Sequence, residues 1–491
     1  MNYVIIWAFR LFEAALLAFG VAYAFHREWT YEQQVALTGY TVRNNGGRYT
    51  VIWLTPWALP LMVVLLWLIS LPFSGLAAAN ALVAEFSLQL VVLLTCYFGA
   101  LLLLLPLLRQ KISARACATL WLLPIFLYYN LAVWQRGYLP PPVVLRLPAG
   151  LAPLLAGLWA AGFCAVVLWH MVSHLRFRRA ILRDAKPVED PDTFNLWCDE
   201  QRNALLKRHI RLVTSPHVTS PLTIGLTLRS MRTVLPERAY TLDQYRLIFR
   251  HELRHVQRRD VDTKCFYIFC KALCWFNPLV WIALNKASAD LELSCDEMVV
   301  LGAAEDTRKE YAALLLDCAG DDRGLSTCLS ASASSLRRRL KGVVSPGEHT
   351  AGTKLLALVM TLLVLCSGLV GVSFRSGTLG EVVLPAQVEP YFVSLRGDGL
   401  GGSVDEPSPG VTQALLDYLS PLPVTRLATG QQVWGSAQPV LTLYLPGGWF
   451  FLTDGLCSIQ NPMSDQITSV LYRVDEPVDW DRLEAIVKEG A

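Results

Sequence analysis

At 491 residues the chain has room for roughly three or four compact domains, so a single small domain is excluded. More than half of it is apolar, with 15 Trp, and the apolar residues gather in runs that an ordinary soluble protein does not carry. The formal net charge of +3 argues neither for nor against nucleic acid. The class these features indicate is an integral membrane protein, mainly α-helical.

In chain order, about six apolar segments are expected to span a bilayer: Tyr3 to Phe25, Val51 to Phe73, Phe86 to Leu108, Leu120 to Trp134, Leu151 to Val172 and Leu355 to Phe374. The loop "RQKISAR" (Arg109 to Arg115) and the stretch "RFRRAILR" (Arg176 to Arg183) are strongly basic, whereas "SGLAAANALVAE" (Ser74 to Glu85) has no basic residue. Placing the basic loops in the cytoplasm puts the N-terminus outside and lets every alternation agree. The loop Gly137 to Gly150, assigned outside, fits least well because it holds Arg146. Ala22-Tyr23-Ala24 resembles a signal-peptidase site, and cleavage there would invert the parity. The segment lacks a basic start and carries Arg10 and Glu13, so it is taken as a retained helix.

These boundaries imply a five-helix transmembrane domain over 1–175, a cytoplasmic polar domain over 176–350, a last span over 354–374 and a small extracytoplasmic domain over 375–491. Within the polar domain, a helical stretch around Asp192 to Arg208 precedes strand-like runs, "HIRLVTS" and "TIGLTLRSMRTVLP". From Thr241 the period turns helical. The run "CFYIFCKALCWFNPLVWIAL" (265–284) is apolar enough to cross, yet Lys271 and an Asn-Pro break divide it. A membrane-embedded or interfacial helix pair is expected there, with Cys265, Cys270 and Cys274 as small buried side chains. The tail after Phe374 reads as an α+β module, with a Gly-Gly turn in "QPVLTLYLPGGWFFLTDG" and a helix at "VTQALLDYL". Its lone Cys457 rules out a disulfide within the tail.

Chemistry concentrates at "HELRHVQRRD" (His251 to Asp260). Residues four apart share one face of a helix, so His251 and His255 can turn their imidazoles on one metal ion, and Glu252 can reach water there as a general base. The pattern also suits a basic amphipathic helix whose His, Arg254, Arg258 and Arg259 face solvent. A catalytic zinc needs a third protein ligand and an open position. Glu292, in "ADLELSCDEMVV", can complete a His-His-Glu set, and Asp296, one turn further on, can orient a ligand His. An ordinary charged surface is the alternative for this helix, since Asp290, Glu297 and Glu305 lie close by.

Together, "HELRHVQRRD", "WFNPLVW" (Trp275 to Trp281), "ELSCDE" (Glu292 to Glu297), "EYAALLL" (Glu310 to Leu316) and the upstream "SPHVTSPLTIGL…VLP" (Ser215 to Pro236) resemble the BlaR/MecR-type membrane zinc metallopeptidases. The resemblance covers about Arg176 to Gly342 and implies an inserted α+β, gluzincin-like peptidase domain. It makes His251, His255 and Glu292 ligands of one zinc per chain and Glu252 the base. Thr219, Ser220, Pro221, Leu222, Thr223, Ile224 and Gly225 would be the edge strand that holds substrate. It also implies a cytoplasmic protein substrate, either a penicillinase-repressor-type transcriptional repressor or the protease itself. One departure matters: no Ser after Phe374 has a Lys three residues later. Sensing by acylation, as in the penicillin-binding sensor domain of the antibiotic-sensing members, is therefore not expected of this tail, and an unknown extracytoplasmic ligand would be bound noncovalently.

The run "SSLRRRLKG" (Ser334 to Gly342) is expected to lie on the cytoplasmic leaflet as a lipid-facing basic segment. It lacks a reading module, so no direct nucleic-acid partner is expected. His170 and His174 share i, i+4 spacing without an acidic neighbour and read as interfacial. His209 and His217 read as packing or hydrogen-bonding residues. A second copy of the chain is a partner left open. The competing reading of the whole is a non-catalytic membrane receptor or scaffold that signals by conformational change.

Overall fold

The computed structural model describes residues 3–38, 55–131, 143–146, 152–204, 206, 208–227, 229–319, 333–345, 349–367, 369–373, 376–382, 384, 389–397, 399–429, 439–446, 448–453, 455–460 and 470–489. Among the described residues, three helical segments are long and apolar enough to cross a membrane: Ala8–Tyr31, Leu82–Leu108 and Leu154–Leu182. They lie within α1 (Tyr3–Thr38), α2 (Ala58–Leu108) and α4 (Ala152–Leu182). Three further apolar helical stretches, Ala58–Pro72, Ala114–Tyr128 and Thr353–Cys366, are shorter.

The expectation of six spans is thus met by three of spanning length, and the reasons are local. The fourth expected span, Leu120 to Trp134, is not an α-helix in its described part: α3 (Ala114–Leu120) ends where it begins, and a 3-10 stretch follows over Leu123–Leu131. Pro124 has no N–H to continue an α-helix. Residues 132–134 of that expected span fall outside the described residues. The last expected span is a 14-residue helix, Thr353–Cys366, about 21 Å long at the helical rise. It gives way to a strand at Val370–Ser373 that pairs in parallel with β1 (Val143–Arg146). The expected loop Ser74 to Glu85 is helical, being part of the 51-residue α2. That helix is not straight: Trp67 Nε1 donates to Asn80 Oδ1 at 2.8 Å, whereas thirteen residues of straight helix span about 20 Å. Pro72 lies inside the bend.

The polar region holds a four-stranded sheet in the order β2-β3-β5-β4, where β2 is Lys186–Pro187, β3 Arg211–Ser215, β4 Leu222–Ile224 and β5 Arg232–Pro236. Beside it run α5 (Pro191–Asn203), α6 (Leu242–Arg258), α7 (Asp260–Leu273), α8 (Pro278–Val299), α9 (Glu305–Ala319) and α10 (Ala333–Val344). Trp197, Phe249 and Tyr311 anchor the core between α5, α6 and α9.

The Asn-Pro break divides α7 from α8 as the sequence suggests, with Asn277 capping α8 through Leu279 N at 3.0 Å. Cys270 and Cys274 are buried with Leu90, Leu94 and Phe98 of α2, so the pair is joined to the apolar bundle. Lys271 donates to Asn285 Oδ1 and lies over the Trp281 ring. The C-terminal region carries an eight-stranded sheet with helices Pro409–Leu419 and Trp480–Glu489. Its hairpin pairs Leu445 with Gly448, where the Gly-Gly turn is expected; Gly447 itself is outside the described residues.

Candidate metal centre

Thr241 starts α6. Its hydroxyl accepts from Gln244 N at 3.2 Å, and Gln244 Oε1 accepts from Thr241 N at 3.1 Å, satisfying two orphan donors of the first turn. Leu247, Ile248, Leu253 and Val256 are buried, and this apolar stripe sets the rotation of the helix. His251 and His255 consequently face inward, with side chains only 12% and 15% exposed. The solvent-facing arrangement of the basic helix is thereby excluded for these two rings, while Arg259 does face outward.

Three atoms from two helices converge. His251 Nε2 lies 3.2 Å from His255 Nε2, and Glu292 Oε2 of α8 is 3.6 Å from the first and 3.4 Å from the second. A tetrahedral zinc with bonds of about 2.0–2.1 Å separates its nitrogen and oxygen ligands by roughly 3.3–3.4 Å. The triangle fits such an ion; a second set of possible ligand atoms, from His255, Asp260 and Cys295, also converges and shares His255 with it. Lys264 Nζ approaches the other oxygen of Glu292 at 3.5 Å. Burial opposes a charge on Glu292, but His255 and Lys264 overcome it and hold its pKa well below the usual carboxylate range.

Each imidazole is held from behind, by different means. His255 Nδ1 meets Asp260 Oδ2 at 2.7 Å. This contact depends on Arg259, whose left-handed backbone (φ 56°) ends α6 and starts α7 at once, folding Asp260 back onto the helix it follows. Arg258 Nε donates to the same carboxylate at 3.2 Å. Burial opposes charge on His255, and Cys295, whose Sγ lies 3.5 Å from Nδ1, together with Glu292 and Asp260 outweighs it, raising its pKa well above the ordinary histidine value. His251 Nδ1 instead meets the Tyr311 hydroxyl at 2.9 Å, which donates to Asp296 Oδ1 at 2.8 Å. Asp296 is itself 3.4 Å from His251 Nδ1, so the tyrosine stands between the ring and the carboxylate expected to orient it.

Glu252 is buried next to the pair and has no hydrogen bond or ion pair among the described residues. The segment Thr219 to Gly225 holds β4 at Leu222–Ile224, paired antiparallel with β5 only and lying against α6. Thr219, Ser220 and Pro221 lead into it. Gly225 ends it at φ 139°, where a Cβ would lie 2.7 Å from the Met231 backbone. An unpaired strand edge beside α6 is able to accept an extended chain.

Sequence reasoning missed Asp260, Tyr311 and Arg339. The first two lie in stretches already singled out, "HELRHVQRRD" and "EYAALLL". Arg339 had no signal, and its assignment to a lipid-facing segment needs correction: its guanidinium donates to both oxygens of Asp296, at 2.6 and 2.8 Å. Arg338 lies 4.0 Å from Asp290, and α10 packs on α8 at Gly342, where an added Cβ would sit 3.2 Å from Leu293. Arg339, and at longer range Arg338, thus meet buried aspartates of α8, while Arg337 and Lys341 of the same run are exposed. His217 pairs with Asp184 at 2.7 Å and His209 with Gln201 at 3.1 Å.

Residues 146–343 match the BlaR1 peptidase M56 family. "Regulatory protein BlaR1" of Bacillus licheniformis is 26% identical over 242 residues, covering 48% of this chain and 39% of that protein. The "Methicillin resistance mecR1 protein" of Staphylococcus aureus and that of Staphylococcus epidermidis are each 28% identical over 114 residues, covering 23% of this chain and 19% of theirs. The matched stretch thus spans about two fifths of the Bacillus relative and one fifth of the staphylococcal ones.

Proposed function

We propose that this protein, whose residues 146–343 match the BlaR1 peptidase M56 family, is an integral-membrane zinc endopeptidase of a BlaR/MecR-type signalling system. The observation that carries the reading is the 3.2–3.6 Å triangle of His251, His255 and Glu292 atoms, spaced as a tetrahedral ion requires. Zinc held there supplies a Lewis acid for the scissile carbonyl and acidifies water. Glu252 takes a proton from the attacking water and passes it to the leaving amine. A buried carboxylate with no partner among the described residues suits that task, because an ion pair would compete with the proton. The edge of Leu222–Ile224 binds substrate backbone as an added strand.

The peptidase domain faces the cytoplasm and the N-terminus and the C-terminal sheet lie outside, in a multi-pass cell-membrane arrangement supported by the loop charges. An external ligand bound noncovalently by the tail is relayed to cleavage of a cytoplasmic repressor of the penicillinase type, or of the chain itself.

Metal content of the purified full-length protein, measured by mass spectrometry, tests this directly. About one zinc per wild-type chain, lost in Glu292→Ala, is expected. Glu252→Ala should keep the zinc and lose cleavage. Wild type with no zinc would overturn the peptidase reading and favour a non-catalytic receptor.

A further inference from the structure

The peptidase reading uses His251, Glu252, His255 and Glu292, and it leaves a chain of buried polar groups behind His251 without a task. That chain runs from His251 Nδ1 to the Tyr311 hydroxyl (2.9 Å), to Asp296 Oδ1 (2.8 Å), and on to Arg339, which binds both oxygens of Asp296. Its members come from four helices, α6, α9, α8 and α10. We propose that Tyr311 and Arg339 are positioning residues of the metal centre, acting in series on the imidazole of His251. The inference rests on the peptidase reading, since it assigns these residues to the ion held there.

Hydrogen-bond bookkeeping gives the series its direction. The phenol has one proton, and Asp296 can only accept, so that proton goes to the carboxylate. The oxygen of Tyr311 is left to accept from Nδ1–H of His251, which puts the free lone pair of the neutral ring on Nε2, the atom facing His255 and Glu292. Arg339 keeps Asp296 in place: with its plane fixed by a two-pronged guanidinium, the carboxylate cannot swing to the ring, only 3.4 Å away. Without Arg339 the carboxylate is free to turn toward Nδ1 and draw the ring off its line to the ion. His255 needs no such relay, because Asp260 meets it directly.

The test measures zinc affinity of the detergent-solubilised full-length protein by competition with a chelator, alongside thermal unfolding of the zinc-free protein. Tyr311→Phe keeps the buried ring and the Arg339–Asp296 pair but removes the hydroxyl. It should weaken zinc by about ten- to a hundredfold, the range for partners of a ligand histidine, with little change in zinc-free unfolding. Arg339→Gln should weaken zinc comparably, Arg339→Lys should restore part of the loss, and Tyr311→Phe/Arg339→Gln should be no weaker than the weaker single variant. Arg337→Gln, at an exposed position of the same helix, should bind like wild type. If Tyr311→Phe binds zinc as wild type does, the inference is overturned, even where Arg339→Gln unfolds and reports nothing of its own. Wild type that takes up no zinc defeats the peptidase reading and this inference with it. Wild type that binds beside indifferent variants defeats the inference alone.

Discussion

The peptidase region and the C-terminal sheet both bury an apolar core, and they differ in the charge they bury. Among the described residues of 242–344, Glu252, Asp260, Asp262, Asp290 and Asp296 are all buried. The core of the C-terminal region is made of aliphatic and aromatic residues such as Val393, Leu441, Leu443, Phe450 and Leu452, and its buried polar groups are Ser394, Thr442, Thr453 and Ser458. A hydroxyl costs less to bury than an ionised carboxylate, which costs several kcal/mol unless it is met by charge and hydrogen bonds. Four of the five acids are so met: Asp260 by Arg258, Asp262 by Arg259 and Trp57, Asp290 by Arg109 and Trp121, and Asp296 by Arg339. Such pairing is a poor way to gain stability, and two of these acids, Asp260 and Asp296, stand behind the histidines of the triangle. The second buries no carboxylate among its described residues.

The contrast can be broken by experiment, beginning with the largest effect. His255→Ala should reduce zinc from about one per chain to a trace while amide exchange in the C-terminal strands stays as in wild type. Slower or faster exchange there would mean that the two regions are not independent. Next in size, Phe450→Ala should cost the C-terminal region about 3–5 kcal/mol and leave zinc content untouched. Asp290→Ala should cost a similar ~3–5 kcal/mol, by stranding Arg109 without its bidentate partner, and denaturant unfolding of the peptidase region reads it. A loss below about 1 kcal/mol would show that Arg109 finds water or another acceptor. Thr241→Ala should cost about 1 kcal/mol through the lost cap of α6. Smallest of all, Lys309→Ala, which removes an exposed pair with Glu305, should change stability by about 0.5 kcal/mol or less.

Legibility in the sequence followed range. Spacing of four placed His251 and His255 on one face, and the helical start at Thr241, the Asn-Pro break and the alternating hairpin of 440–453 were all readable, because each is decided by neighbours a few residues apart. The count of spanning helices was less readable, since apolar length alone does not register that Pro124 interrupts one segment or that Pro72 bends another while the chain stays helical. Asp260 stood in plain view in "HELRHVQRRD", but its contact with His255 depends on one left-handed residue, Arg259. Nothing local favours that conformation for an arginine.

The sequence by itself determined that the chain is a membrane protein with a His-Glu-x-x-His helix and an acidic helix some forty residues on, because hydropathy and helical periodicity are short-range properties. Only the tertiary structure decided that Glu292 closes a triangle with the two histidines, that Tyr311 stands between His251 and Asp296, and that Arg339 of a basic run turns from lipid to a buried aspartate. Those outcomes depend on how helices distant in sequence pack, and an arginine is drawn to the carboxylate whose burial most needs a counter-charge.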